Sequence, residues 1–231
     1  MRWGWPFWIY AAVVVVHLVV LAIPSVDGAV TKALLMPALL VSVLLVAGVT
    51  GRLRGRRAWW GVGLLGVGIA ASFLGDILLG ESFVIGLACF AAAHIVYIAV
   101  FNGPARERRI PWWSLGYVAA LALLVAVLWP HLGELRLVVL GYGIVLALTA
   151  MASARVNAIA AWGGGLFLAS DALLAFRLFF PDFRIAFPDP WQDLAIMAFY
   201  CAGEGLIALG VLRRLAAVRG RGAEDAIPAM R

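Results

Sequence analysis

The chain has 231 residues, of which 65% are hydrophobic and only 13% are charged, whereas about a quarter of the residues in soluble domains are charged. A soluble fold could not bury so much apolar surface without aggregating, so the composition excludes an ordinary soluble domain. The net charge of +6 comes from arginines in short segments between apolar runs, and the lack of a basic stripe argues against a nucleic-acid partner.

Eight apolar runs of roughly 20 residues, the length that crosses a hydrocarbon core, predict an all-α, polytopic transmembrane helix bundle. In chain order the predicted spans cover residues 5–24, 31–50, 58–80, 82–101, 111–129, 135–153, 158–178 and 191–212. The first run resembles a signal peptide, but its apolar stretch is long for one, which favours a retained helix. We expect residues 1–215 to form a single transmembrane domain and residues 216–231 a disordered cytoplasmic tail.

The basic residues predict how the bundle is oriented. With the N-terminus in the cytoplasm, 14 of the 18 basic residues fall in cytoplasmic segments, leaving Lys32, Arg136, Arg177 and Arg184 outside. This asymmetry is the positive-inside bias of membrane proteins. It predicts a multi-pass protein of the cell membrane with both termini cytoplasmic.

A short internal repeat divides the predicted bundle in two. Phe73–Leu79 (FLGDILL) in the third span matches Leu168–Leu174 (LASDALL) in the seventh. Both spans run from inside to outside in this topology, so the two aspartates reach a similar depth. The match suggests two parallel four-helix halves, as in repeat-built membrane proteins.

Ionisable side chains within the spans are the strongest candidates for function, because a charge in hydrocarbon costs at least ~3 kcal/mol and normally faces the bundle interior. They are Lys32, Asp76, His94, Asp171 and Glu204, with His17 as a weaker candidate. Asp76 and Asp171 are the predicted catalytic residues. Three separate helices place them and Lys32 in one layer of the outer half, and Gly68, Ser72 and Gly75 form a small-residue stripe beside Asp76.

Two interpretations of this charged layer stay open. Lys32 could simply pair with one aspartate and hold the helices together. The second carboxyl would then lack a partner and would be expected to become neutral through burial. One neutral and one ionised carboxyl is the arrangement that general acid–base catalysis requires.

The remaining polar residues of the spans are candidates for substrate binding or for packing. His94 shares an aromatic stripe with Tyr97 on the fourth span, and Tyr200 lies four residues before Glu204 on one face of the eighth. We see no cluster of His and Cys with zinc spacing, no nucleophile elbow and no phosphate-binding loop. The sequence therefore predicts no metal site.

Four segments resemble the YhhN-type lysoplasmalogenase family: Thr31–Pro37, Phe73–Leu79, Phe90–Tyr97 and Phe167–Leu174. The resemblance runs from the second span to the eighth, and the paired Gly-Asp and Ser-Asp helices are its most specific part. The chain departs from the family pattern at Ala33, where proline is usual, and at Glu204, where glutamine is expected.

The resemblance implies an eight-helix membrane enzyme, without a required cofactor, that cleaves the vinyl ether bond of lysoplasmalogens. Its substrate would be a lysophospholipid bound from the bilayer, and Asp76 and Asp171 would supply acid–base catalysis. Two other functions fit the same residues: a proton-coupled carrier of lipids or small molecules, and a structural membrane protein whose ion pairs only stabilise packing. The sequence leaves the oligomeric state open.

Overall fold

A computed structural model of the chain describes residues 5–23, 25–49, 51, 53–180, 182–183 and 191–224. The described residues form eight α-helices longer than ten residues and contain no strand, which confirms the all-α prediction. In chain order the helices are Phe7–Leu21 (α1), Ala29–Val49 (α2), Arg56–Leu78 (α3), Phe83–Asn102 (α4), Leu115–Leu128 (α5), Arg136–Ser153 (α6), Ala158–Phe179 (α7) and Trp191–Glu224 (α8). Short 3-10 turns precede and follow α5.

Seven of these segments are long and apolar enough to cross a membrane. The exception is α1, whose 15 residues extend for only about 22 Å, less than the roughly 30 Å of a hydrocarbon core. Large apolar side chains cover the outside of the bundle; Leu137 and Trp162, for example, are 77% and 72% exposed. Such a surface suits a lipid environment, and the chain is a multi-pass membrane protein.

The last helix continues beyond the predicted end of the membrane domain at residue 215 and reaches Glu224. The predicted cytoplasmic tail, 216–231, therefore begins within a helix. Its residues 225–231 lie outside the described residues, as do Arg2, Arg52 and Arg184 of the topology argument. The location of the tail and the orientation of the bundle stay predictions.

The closest helix packing involves α3 with α4 and α7 with α8, which occupy equivalent positions in the two predicted halves. A Cβ added at Gly68 would lie 2.2 Å from Cε1 of Tyr97, and one at Gly75 would lie 2.7 Å from Cδ2 of Phe90. The predicted small-residue stripe of α3 is thus confirmed, and α4 is the helix that packs against it. A Cβ at Gly163 would lie 2.7 Å from the backbone nitrogen of Ile207, so α7 and α8 approach equally closely.

Candidate active site

A cavity of about 220 Å³ lies among α2, α3, α4, α6, α7 and α8. Asp76 and Asp171 both line it, together with Lys32, Tyr142 and Tyr200. Most of the remaining wall is apolar and includes Leu87, Phe90 and Leu174. The folded chain therefore brings together the three charged residues that the sequence placed in one layer.

Asp76, near the end of α3, is buried and has two polar neighbours. The Tyr200 hydroxyl donates a hydrogen bond to Oδ2 of Asp76 over 2.7 Å. The ammonium of Lys32 lies 3.7 Å from Oδ1 of the same carboxyl, and its side chain remains 32% exposed. A hydrogen bond and a nearby cation together offset the cost of burying this carboxyl.

Asp171, on α7, is half-buried and accepts a hydrogen bond on Oδ2 from the hydroxyl of Tyr142 on α6. Tyr142 is a residue of this site that sequence reasoning missed. Its only signal is a polar hydroxyl inside an apolar span, flanked by Gly141 and Gly143. Nothing in the sequence distinguishes it from Tyr10 or Tyr117, which donate to backbone carbonyls instead.

Glu204 is fully buried and lies outside the residues that line the cavity. Ser72 donates to its Oε1 and Tyr97 to its Oε2, each over 2.8 Å. Ser72 precedes Asp76 by one turn on α3, and Glu204 follows Tyr200 by one turn on α8. Two polar contacts, one helical turn apart, therefore join these antiparallel helices: Tyr200 with Asp76, and Ser72 with Glu204. The contact at Glu204 lies about 6 Å deeper in the bundle.

Each of the three intramembrane carboxyl groups thus receives a hydrogen bond from a tyrosine on another helix: Asp76 from Tyr200, Asp171 from Tyr142, and Glu204 from Tyr97. A phenol donates one hydrogen bond and brings no charge of its own. The arrangement gives each carboxyl group a hydrogen-bond donor that does not itself fix the charge of the carboxyl. That property is what a site for proton transfer needs.

His94 is fully buried behind this layer and does not line the cavity. Its ring packs edge-on against Phe167, with 4.5 Å between the ring centroids, and lies about as close to Tyr97 as to Tyr142. Among the described residues neither ring nitrogen has a hydrogen-bond partner. The weaker candidate, His17, hydrogen-bonds through Nδ1 with the Thr31 hydroxyl over 2.8 Å.

Two further charged residues line the cavity on the side away from Glu204. Arg177, near the end of α7, and Asp193, in the first turn of α8, form an ion pair there. The count of basic residues had placed Arg177 only on the outer side of the membrane. The described residues contain no group of three or more His, Cys, Asp or Glu side chains arranged to hold a metal ion.

Two proteins similar to this chain are both named lysoplasmalogenase. Lysoplasmalogenase TMEM86B of Sus scrofa is 29% identical over 215 residues, which cover 91% of this chain and 86% of the pig protein. Lysoplasmalogenase TMEM86B of Homo sapiens is 33% identical over 153 residues, covering 65% of this chain and 64% of the human protein. No solved structure is significantly similar to the chain.

The model of the YhhN family matches residues 28–211. This match includes every residue of the cavity described above, from Lys32 on α2 to Tyr200 on α8. Because the match covers most of the chain and contains both aspartates with their tyrosine donors, the chain belongs to the YhhN family.

Proposed function

We propose that this protein is a membrane-embedded lysoplasmalogenase, which cleaves the vinyl ether bond of a lysoplasmalogen to release a fatty aldehyde and glycerophosphoethanolamine or glycerophosphocholine. The observation that carries the proposal is the presence of Asp76 and Asp171 in the wall of one largely apolar cavity. The names of the similar pig and human proteins point to the same reaction.

The reaction needs an acid and a base but no redox chemistry. A neutral carboxyl transfers its proton to the outer carbon of the vinyl ether, which converts the other carbon into an oxocarbenium ion. Water adds to that carbon and loses a proton to the second carboxylate. As the resulting hemiacetal separates into aldehyde and alcohol, the second carboxyl returns that proton to the departing alcohol oxygen and the first carboxylate takes the proton of the hemiacetal hydroxyl. One water molecule is consumed, and a nearby carboxylate stabilises the cation that forms.

The contacts of the two aspartates support a division of labour. Lys32 lies beside Asp76, and a neighbouring cation favours the ionised form of a carboxyl. Asp171 lines the cavity and accepts the Tyr142 hydrogen bond at Oδ2, so a proton carried on Oδ1 would not compete with that bond. We therefore assign the proton donor to Asp171 and the carboxylate that activates water to Asp76.

The cavity wall suits the apolar part of the substrate. Leu79, Phe83, Leu87 and Leu174 present hydrocarbon beside the carboxyl layer, and burying an alkenyl chain there is favourable in the same way as burying an apolar side chain. A lipid already in the membrane needs to move only sideways to reach such a site.

The test is aldehyde release by the purified protein in detergent, with a 1-alkenyl lysophospholipid as substrate and the matching 1-alkyl ether as control. We expect aldehyde from the alkenyl lipid alone. In D₂O the aldehyde should carry one deuterium on the carbon next to the carbonyl, and turnover should slow because proton transfer to carbon limits the rate.

A folded, monodisperse protein that releases no aldehyde would contradict the proposal. A proton-coupled carrier, the alternative that the paired aspartates also allow, would instead move lysolipid across sealed vesicles without consuming it. Deuterium found elsewhere in the product would contradict the proton-transfer step alone.

A further inference from the structure

The ion pair of Arg177 and Asp193 lies at the mouth of the same cavity as the two aspartates. Its side chains are 25% and 35% exposed, whereas that of Asp76 is 5% exposed. The pair therefore meets solvent or lipid headgroups, whereas Asp76 stays inside the bundle. The aromatic rings of Phe83 and Phe179, 5.8 Å apart at their centroids, also line the mouth.

We propose that Arg177 and Asp193 form a binding site for a zwitterionic phospho-amine headgroup, in which Arg177 with Lys32 takes the phosphate and Asp193 takes the ammonium. The inference rests on the proposed function and extends it from the reacting bond to the headgroup. It assigns a role to two residues that neither the sequence motifs nor the carboxyl chemistry uses.

The spacing along the helices fits a lysophospholipid. Arg177 follows Asp171 by six residues on α7, and Asp193 precedes Tyr200 by seven on α8, which places the mouth roughly 9–10 Å beyond the carboxyl layer. In the substrate, five bonds separate the ether oxygen from phosphorus, or roughly 6 Å in an extended chain. The ammonium lies a few bonds further out, and the flexible Arg177 and Lys32 side chains can close the remaining gap.

The charges fit as well. A zwitterion that inserts into an ion pair leaves the net charge of the site unchanged, because each end of the ligand replaces one end of the pair. Both charges of the protein stay compensated at a depth where an uncompensated charge is costly. A headgroup with phosphate but no amine would instead bring its negative charge close to Asp193, and like charges repel.

The site can be tested without catalysis, using short-chain 1-alkyl ether lysolipids, which lack the vinyl bond. One probe carries phosphoethanolamine and the other carries phosphate alone, and the dissociation constant of each is measured with the purified protein in detergent. The wild-type protein should prefer the phosphoethanolamine probe.

Asp193→Asn should weaken binding of the phosphoethanolamine probe about tenfold, the effect of losing one charge-assisted hydrogen bond, and should tighten binding of the phosphate probe or leave it unchanged. Arg177→Gln should weaken both. The control Glu81→Gln removes a carboxylate from the exposed turn between α3 and α4, outside the cavity, and should change neither.

Three results would overturn the inference. The first is no measurable binding of either probe to the wild-type protein, and the second is an equal effect of Asp193→Asn on both probes. The third is a loss of thermal stability in Asp193→Asn and Arg177→Gln while the preference for the phosphoethanolamine probe is unchanged. The third result would mean that the ion pair only stabilises the packing of α7 against α8. If wild-type protein releases no aldehyde but shows the expected headgroup preference, the proposed reaction fails while the headgroup site stands.

Discussion

The two ends of the bundle differ in where their charged side chains lie and in what these side chains contact. At the end that carries most of the arginines, guanidinium groups connect loops by donating hydrogen bonds to backbone carbonyl oxygens. Arg57 donates to Pro104, Arg108 to Ala154, and Arg155 to Arg108. These side chains lie in loops or at helix ends, where water and lipid headgroups screen their charge.

At the other end several charged groups lie within the helices rather than in loops. Asp76 and Asp171 face a cavity, and their hydrogen-bond donors are the uncharged hydroxyls of Tyr200 and Tyr142. Arginine donors would hold both carboxyls permanently ionised, whereas tyrosines do not. The comparison separates arginines that hold loops in place at one end from the carboxyl groups at the other end, which we propose exchange protons with the substrate.

The largest expected effect is at the two aspartates. Asp76→Asn and Asp171→Asn should each lower kcat at least ~10²-fold, the low end for a general acid–base group. Asparagine is nearly isosteric, so folding should be little affected. Aldehyde release per folded molecule is the measurement, with Glu81→Gln as the control.

The double variant sharpens this prediction. If the two carboxyls act as a unit, Asp76→Asn combined with Asp171→Asn should be scarcely worse than either substitution alone. Near-normal aldehyde release by either single variant would contradict the two-carboxylate mechanism.

The tyrosine donors should give the next largest effect. Tyr142→Phe and Tyr200→Phe each remove one hydrogen bond to a carboxyl group, worth about 1.5 kcal/mol or roughly tenfold in kcat. Tyr117→Phe is the matched control, because this hydroxyl donates to the carbonyl of Ala161, away from the cavity. Equal losses in all three variants would mean that the tyrosines only stabilise packing.

A smaller effect is expected for Lys32→Met, which keeps much of the apolar stem but loses the charge. If Lys32 contacts the substrate phosphate, KM should rise on the order of fivefold, as suits a partly exposed ion pair, with less change in kcat. Steady-state kinetics on one alkenyl lysolipid decide the matter. A fall in kcat at constant KM would contradict the phosphate contact and would limit Lys32 to its role beside Asp76.

At the arginine end we expect a change in stability without a change in activity. Arg155→Gln removes its contact with the carbonyl of Arg108 and should cost about 1 kcal/mol of unfolding free energy. Thermal unfolding in detergent and aldehyde release from the same sample test both parts. A loss of activity at unchanged stability would break the distinction between the two ends.

The orientation test should leave both activity and stability unchanged. Cysteines introduced at the exposed positions Arg54 and Asp182 should react with an impermeant reagent from opposite sides of the membrane. The native Cys89 and Cys201, neither of them exposed, would be replaced first. Labelling from the same side would refute the predicted topology and the outward position of the cavity.

The local sequence was sufficient to predict the helices and to single out the two aspartates as candidates. Hydrophobic length depends only on consecutive residues, so the second to seventh spans agree with the helices apart from a few residues at their ends. The eighth span, 191–212, has the observed start, but its helix continues to Glu224. The first span was predicted too long: the prediction covered residues 5–24, and the observed helix is Phe7–Leu21. Asp76 and Asp171 stood out because a charge in an apolar run is costly wherever it lies.

The sequence by itself could not choose among the remaining polar residues. Tyr97, Tyr142 and Tyr200 all lie inside apolar helices, but helix rotation and packing turn Tyr142 and Tyr200 toward the cavity and Tyr97 toward Glu204. The pairing of Arg177 with Asp193 likewise required two helices to meet. Which side chains share a site is decided by contacts between residues far apart in the chain, and only the tertiary structure contains them.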